Sequence, residues 1–149
     1  VAFRFSDYVA LASAMKKELP DDVNDPGLKD GAAQAKLRTA VSRAYYGAFR
    51  EAFFFARDED KLAVFRDESR KKTEDHALLI QIYQSKSDSA RKLIADKLWL
   101  LRKKRNTFDY DFDPQFVRPY EVLIMLNEAQ AVLAALDTLR AKAARKANR

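Results

Sequence analysis

The sequence predicts an all-α fold, an antiparallel bundle of four long helices or five, and three observations carry that prediction. Apolar residues return at three- and four-residue intervals through most of the chain, the period of one helix face. No stretch alternates apolar and polar residues at period two, as a half-buried strand does. Only three glycines and four prolines punctuate 149 residues, and the rest is rich in Ala, Leu, Lys, Arg and Glu, which are strong helix formers. That length suits one domain with a core of its own. Residues 1–139 make up that domain, and 140–149 form a basic C-terminal tail.

The first helix spans Phe5 to Leu19, with Tyr8, Leu11, Met15 and Leu19 on its stripe and Ser6 as a plausible cap. PDDVNDPGLKDG, residues 20–31, gathers two prolines, two glycines and four aspartates and reads as a loop. A second helix runs from about Ala32 to Arg57, with Leu37, Val41, Tyr45, Ala48 and Ala52 in one row and Tyr46, Phe49 and Phe53 in the next. So wide an apolar surface implies burial on more than one side, as for a central helix. Residues 58–75 are highly charged around one apolar patch (Leu62, Val64, Phe65) and read as a connection with a short helix. EDHALLIQIYQ, 74–84, is a third helix with Leu78, Leu79, Ile82 and Tyr83 inward. Ser87 or Asp88 caps a fourth, which carries Ile94, Leu98 and Leu101 to the core. DYDFDPQFVRP then breaks the pattern, and a last helix runs from about Pro119 through Val122, Leu126, Leu133 and Leu136.

The absence of cysteine excludes disulfides, thiol catalysis and zinc–thiolate sites. No apolar run approaches the roughly 18 residues of a membrane span and no signal peptide opens the chain. The expectation is a cytoplasmic protein with no membrane partner. The net charge of +6 is concentrated in RAKAARKANR, 140–149, which holds five cations and no acid, so 6 − 5 leaves the body near +1. A tail of that kind is weak evidence for nucleic-acid binding, because tails are also often only solvated.

The most informative stretch is LRKKRNTFDYDFDP, 101–114. Stepping through Ile94, Leu98, Leu101, Arg105 and Phe108 places Arg105 on the apolar stripe rather than with Lys103 and Lys104 on the solvent side. A guanidinium there needs an acceptor, since an unpaired buried charge costs several kcal/mol. Asp109, one turn on, supplies one, and cations near a helix C-terminus also complement its dipole. Alternatively the fork of Arg105 faces a cleft and takes a phosphate bidentately. Asp109, Asp111 and Asp113 match the start of a calcium loop, but Pro114 and Tyr120 stand where that loop needs Gly and Glu. Calcium is therefore excluded, a looser magnesium site stays open, and a well-capped turn is the simpler reading.

Three segments taken together resemble the HEPN domain family, small helical bundles of prokaryotic toxin, defence and nucleotidyltransferase-linked systems. RTAVSRAYYGAFREA, 38–52, is similar to the family's long helix with its Ser-Arg-Ala-Tyr-Tyr core and a small residue after it. TEDHALLIQIYQ, 73–84, is similar to its histidine-containing segment, and LRKKRNTFDYDF, 101–112, to the Arg-Asn ending of its penultimate helix. The likeness extends over about residues 35–140, and the order and spacing of the pieces carry it. It implies a dimer of four- or five-helix bundles whose Arg-Asn ends meet at a shared cleft. Catalytic members are metal-independent ribonucleases with an Arg, a polar residue and then a His four to six residues after the Arg. Arg105 and Asn106 match the beginning of that motif, whereas Tyr110 stands where a gap of four residues would place the His, and no His follows.

This departure bears on chemistry. Metal-free RNA cleavage needs an acid and a base, best supplied by groups titrating near pH 7. A tyrosine titrating near 10 is a poor base. His76, the only histidine, could fill the gap from the third helix or simply hold a hydrogen bond within the bundle. Tyr45 and Tyr46 read as packing residues with hydroxyls bonded toward Arg105 or Asp109. Arg43 is either a surface cation or a companion of Arg105 at the cleft. Phe53, Phe54 and Phe55 fan over about 200 degrees, so one core cannot readily take all three; at least one ring is exposed or covered by another chain, and with the wide apolar surface of this helix that argues for an oligomer.

The sequence therefore favours a dimeric HEPN-like binding module, with no cofactor and no metal. Arg105, Asn106, Arg102 and Arg43 would bind a nucleotide or RNA phosphate, and a nucleotidyltransferase-type protein is a possible partner in a toxin–antitoxin or defence setting. A divergent ribonuclease using Arg105, Asn106, Tyr110 and His76 is the alternative. A purely structural oligomer held by Arg–Asp pairs is the third reading.

Overall fold

The computed structural model describes residues 2–110 and 116–149, and in them the chain is all-α, five helices packed together with no strand. They are α1 (Asp7–Lys17), α2 (Gly31–Asp58), α3 (Asp75–Gln84), α4 (Ser89–Tyr110) and α5 (Pro119–Ala147). Single 3-10 turns at Pro26–Lys29, Ala63–Arg66 and Lys72–Glu74 punctuate the connections.

α2 is the central helix and touches the other four. Leu37, Val41, Tyr45, Ala48 and Ala52 are all fully buried, as their spacing requires. Contacts of Arg38 with Phe108 and of Arg91 with Phe55 show that α4 runs antiparallel to it. α5 runs parallel to α2, because Gln34 meets Val117 near both starts and Arg140 meets Glu51 and Glu59 near both ends. Between α4 and α5 the ion pairs Lys97–Glu128 (2.7 Å) and Lys104–Glu121 (3.5 Å) fall at complementary seven-residue steps and confirm an antiparallel pair. Asp88 starts α4, its carboxylate accepting from the Arg91 amide at 3.1 Å.

α1 is shorter than its periodicity suggests and is turned by one residue. Val9 and Ala12 are buried while Leu11 is 47% exposed, and Ser6 makes no side-chain cap. The cause lies in α2. A Cβ at Gly47 would stand 2.8 Å from Val9 Cγ2 and 2.9 Å from the Phe5 carbonyl oxygen. The two helices cross closely here, so small residues rather than Leu11 face the contact.

α5 also differs from its sequence reading. It continues unbroken to Ala147, so residues 140–147 are its last two turns, and Arg140 is spent on Glu51, Glu59 and Asp137. By length and composition alone α5 could cross a membrane, with a mean hydropathy of 1.5 over its most apolar window. In the bundle its Val122, Met125, Leu126, Ala129, Val132 and Leu136 are buried, while Tyr120, Leu123 and Ile124 are each 47% exposed.

The end of α2 is tied to α3 and α4 by a polar network. Asp60 accepts from the Tyr83 hydroxyl at 2.7 Å and pairs with Arg91, which also holds Asp88 at 3.2 Å. Burial, then the bond to Asp60, pushes the Tyr83 phenol far above its ordinary range.

Candidate functional site

Arg105 completes the inner stripe of α4 below Ile94, Leu98 and Leu101, and it is only 7% exposed. It is the buried charge of the bundle among the described residues. Its guanidinium lies 5.2 Å from the Tyr45 ring centroid, 5.1 Å from Tyr46 and 5.4 Å from Tyr110. Nη1 donates to the Tyr110 hydroxyl at 3.0 Å, while buried Nε has no hydrogen-bond partner.

Asp109 is not the acceptor that its spacing suggests. It is exposed and makes no ion pair with Arg105. Desolvation raises its carboxyl above the usual range despite the pull of Arg105 and Arg38. Three tyrosine rings thus replace the carboxylate around a buried cation, and their π faces offset part of its desolvation. Arg38 serves the helix end instead, donating to the Phe108 carbonyl at 2.6 Å.

His76 is brought to the same place from α3. Its ring stacks on Phe49 at 3.8 Å and lies against Tyr45 and Tyr46, and its Nδ1 shares a short hydrogen bond with the Tyr45 hydroxyl. Burial lowers its pKa to about 4, assisted by the positive charges of Arg102, Arg105 and Arg50. The imidazole is therefore neutral at pH 7. Burial pushes the Tyr45 phenol well above its ordinary value even though Arg102 and Arg105 pull it down.

The other predicted residues divide. Arg102 is half-buried beside this group, and Asn106 is exposed one residue beyond Arg105. Tyr110 is 68% exposed and closes over Arg105 from outside. Arg43 is not at the site: it faces the α1 side, 5.0 Å from the Tyr8 ring. Arg50, absent from the sequence reading, is close enough to act on His76.

Of Phe53, Phe54 and Phe55, only the first two, both half-buried, keep surface that a partner could cover. Phe55 is 3% exposed and belongs to the core, so it forms no interface. Phe53 packs edge-on against Phe65, and Phe54 stacks on Phe5 from the N-terminal segment. The fan of three rings is divided between three neighbours within the chain.

Among the described residues no group of acids and histidine is arranged to hold a metal ion. Asp111 and Asp113 of the looser magnesium reading lie outside the described residues. No family model, no curated protein and no solved structure matches this chain.

Proposed function

We propose that the chain is a HEPN-like binding module whose Arg105 site takes the phosphate of a nucleotide or of RNA. The observation that carries the reading is a buried guanidinium with an unpartnered Nε and no carboxylate of a described residue paired to it. Arg102 adds a second cation, and Asn106 stands at the rim. An anion of tetrahedral shape suits that environment, because a fork of N–H donors in a low-dielectric site binds phosphate oxygens strongly.

Binding is favoured over cleavage by the state of the neighbours. His76 at about 4 and a Tyr45 phenol raised above its ordinary value bracket the neutral range without entering it. Neither exchanges a proton readily at pH 7, which general acid–base catalysis needs. The divergent ribonuclease remains the second reading because His76, Tyr45 and Arg105 do lie together.

The dimer part of the reading rests on another surface than the phenylalanines. Trp99 on α4 is 51% exposed and is flanked by Asp96 and Lys103, neither of which forms an ion pair with a described residue. Antiparallel packing of α4 on a second copy about Trp99 sets Asp96 opposite Lys103 at both ends. A nucleotidyltransferase-type partner and a toxin–antitoxin setting rest on the resemblance alone.

The test is titration of labelled RNA and of a labelled nucleotide into wild type and Arg105→Ala, followed by a denaturing gel in chelator. The reading expects affinity that depends on Arg105 and weakens with salt, without cut ends. Equal binding by both proteins would refute it. Arg105-dependent cleavage would establish the ribonuclease instead.

A further inference from the structure

The Arg105 site leaves unexplained a second set of cations, on α2. Arg43, Arg50 and Arg57 recur every seven residues, so they form a row along one side of the helix with about 10 Å between rungs. Each guanidinium lies over an aromatic ring: Arg43 over Tyr8 at 5.0 Å, Arg50 over Phe5 at 5.7 Å and Arg57 over Phe54 at 4.5 Å. The rings are joined to one another. Phe5 stacks on Phe54 at 5.3 Å, and Phe3, 60% exposed, packs edge-on against Phe5 and Tyr8. Arg43 and Arg50 make no ion pair or hydrogen bond with a described residue, whereas Arg57 is held by its neighbour Asp58 at 2.7 Å.

Beside this row lies a groove of about 720 Å³ between α2, the Ala63–Arg66 turn and the start of α3. Phe49, Phe53, Phe65 and His76 line it, with Arg50 and Arg57 on one bank and Lys72 on the other. Two of its acids are already engaged, Asp67 accepting from Ser69 and Asp75 from Arg70, which leaves Glu68. His76 links the groove to the phosphate site, since it lines one and is bonded to Tyr45, whose ring lies against Arg105, in the other.

We infer that this surface is a track for a single-stranded nucleic acid. Cations spaced along a groove bind a backbone of phosphates, and the rings that keep accessible surface, half-buried Phe53 and Phe54 and exposed Phe3, can stack on bases only when those bases are unpaired. A mononucleotide would fill the Arg105 end and leave the row unused. An acidic peptide would use the arginines but carries no regular series of stacking rings along its backbone, as a strand of bases does. The track rests on the phosphate reading for where the strand leads, and on its own residues for the path.

The experiment is fluorescence anisotropy with a labelled single strand of about 12 nucleotides, within the site sizes of such grooves, made as RNA and as DNA, and with the matching duplex. Proteins are wild type, Arg50→Gln/Arg57→Gln, Phe53→Leu and Arg105→Ala, each checked for a native melting curve. Expected is single-strand binding of at least one of the two chemistries, at least tenfold weaker in the double arginine variant. Its salt slope should be shallower by about 1.4, the value for two lost phosphate contacts on a single strand. Phe53→Leu should weaken binding without changing that slope. An unchanged slope in the double variant with a clear loss in Arg105→Ala overturns the track and leaves the phosphate site standing. The converse result supports the track and removes the Arg105 reading. Equal binding of duplex, or no binding of either strand, overturns the track.

Discussion

Nη1 of Arg105 donates to the hydroxyl of Tyr110 at 3.0 Å, five residues further along the same helix. The tyrosine therefore occupies one prong of the cation that the proposed phosphate would use. Because Tyr110 is 68% exposed, its departure exposes little new apolar surface. Tyr110→Phe is expected to lower stability by about 1 kcal/mol and to tighten nucleotide binding about fivefold, since one competing hydrogen bond of about 1 kcal/mol is removed. A titration showing weaker binding would make the hydroxyl a ligand contact rather than a competitor.

His76 gives the fold a pH dependence whose sign is fixed. Its folded pKa of about 4 lies below the ordinary 6.5, so between these values the unfolded chain binds more protons. The stabilisation is complete above pH 6.5, falls as pH drops, and is gone below 4, a total of about 3 kcal/mol at most. Urea unfolding of wild type and His76→Gln at pH 7 and pH 4.5 isolates this contribution from that of the carboxylates. The gap between the two proteins should narrow at the lower pH.

An anion at Arg105 and Arg102 would cancel the charge that helps hold His76 neutral. Phosphate binding is thus expected to raise the His76 pKa, and affinity should strengthen as pH falls toward 5. The imidazole carbon-proton resonances, titrated with and without saturating inorganic phosphate, measure the shift directly. Superimposable curves would place the anion elsewhere.

At Gly47 an added methyl meets the Phe5 carbonyl oxygen and Val9 Cγ2 below 3.0 Å. Alanine is worth about 1 kcal/mol more than glycine inside a helix, yet overpacking against backbone costs about 1–3 kcal/mol. Gly47→Ala should lower stability by about 1 kcal/mol in urea unfolding with an unchanged slope. An increase would show that α1 slides freely on α2.

Asp60 joins three helices by accepting from Tyr83 and Arg91, and both ends of the ion pair are largely buried. Asp60→Ala leaves Arg91 with Asp88 alone and should cost about 2–3 kcal/mol. Tyr83→Phe should cost about 1 kcal/mol. A double-mutant cycle tests whether the losses overlap, as a shared acceptor requires.

The core of α2 and α4 was legible because strict spacing at Leu37, Val41, Tyr45, Ile94, Leu98 and Leu101 has one helical meaning. The same stepping placed Arg105 inward. Its surroundings were not legible, because i,i+4 spacing points to Asp109 while the tyrosines arrive from another helix and from the final turn. His76 and Tyr45 are 31 residues apart, and no local pattern announces their bond. The turn of α1 onto Ala12 was hidden in a close approach that only Gly47 hinted at. The heptad spacing of Arg43, Arg50 and Arg57 was visible throughout, but its meaning required the rings of Phe5 and Tyr8 beneath it.

The parallel pairing of α2 with α5 governs how the chain matures on the ribosome. Leu37, Val41 and Ala48 leave the exit tunnel about 70 residues before the start at Pro119 of the helix that runs alongside them. At about 5–20 residues per second, the wait is on the order of ten seconds. Through that interval α1 can shield one flank of α2 while the flank meant for α5 faces water. The nascent chain thus carries an adhesive stripe until α5 has been made.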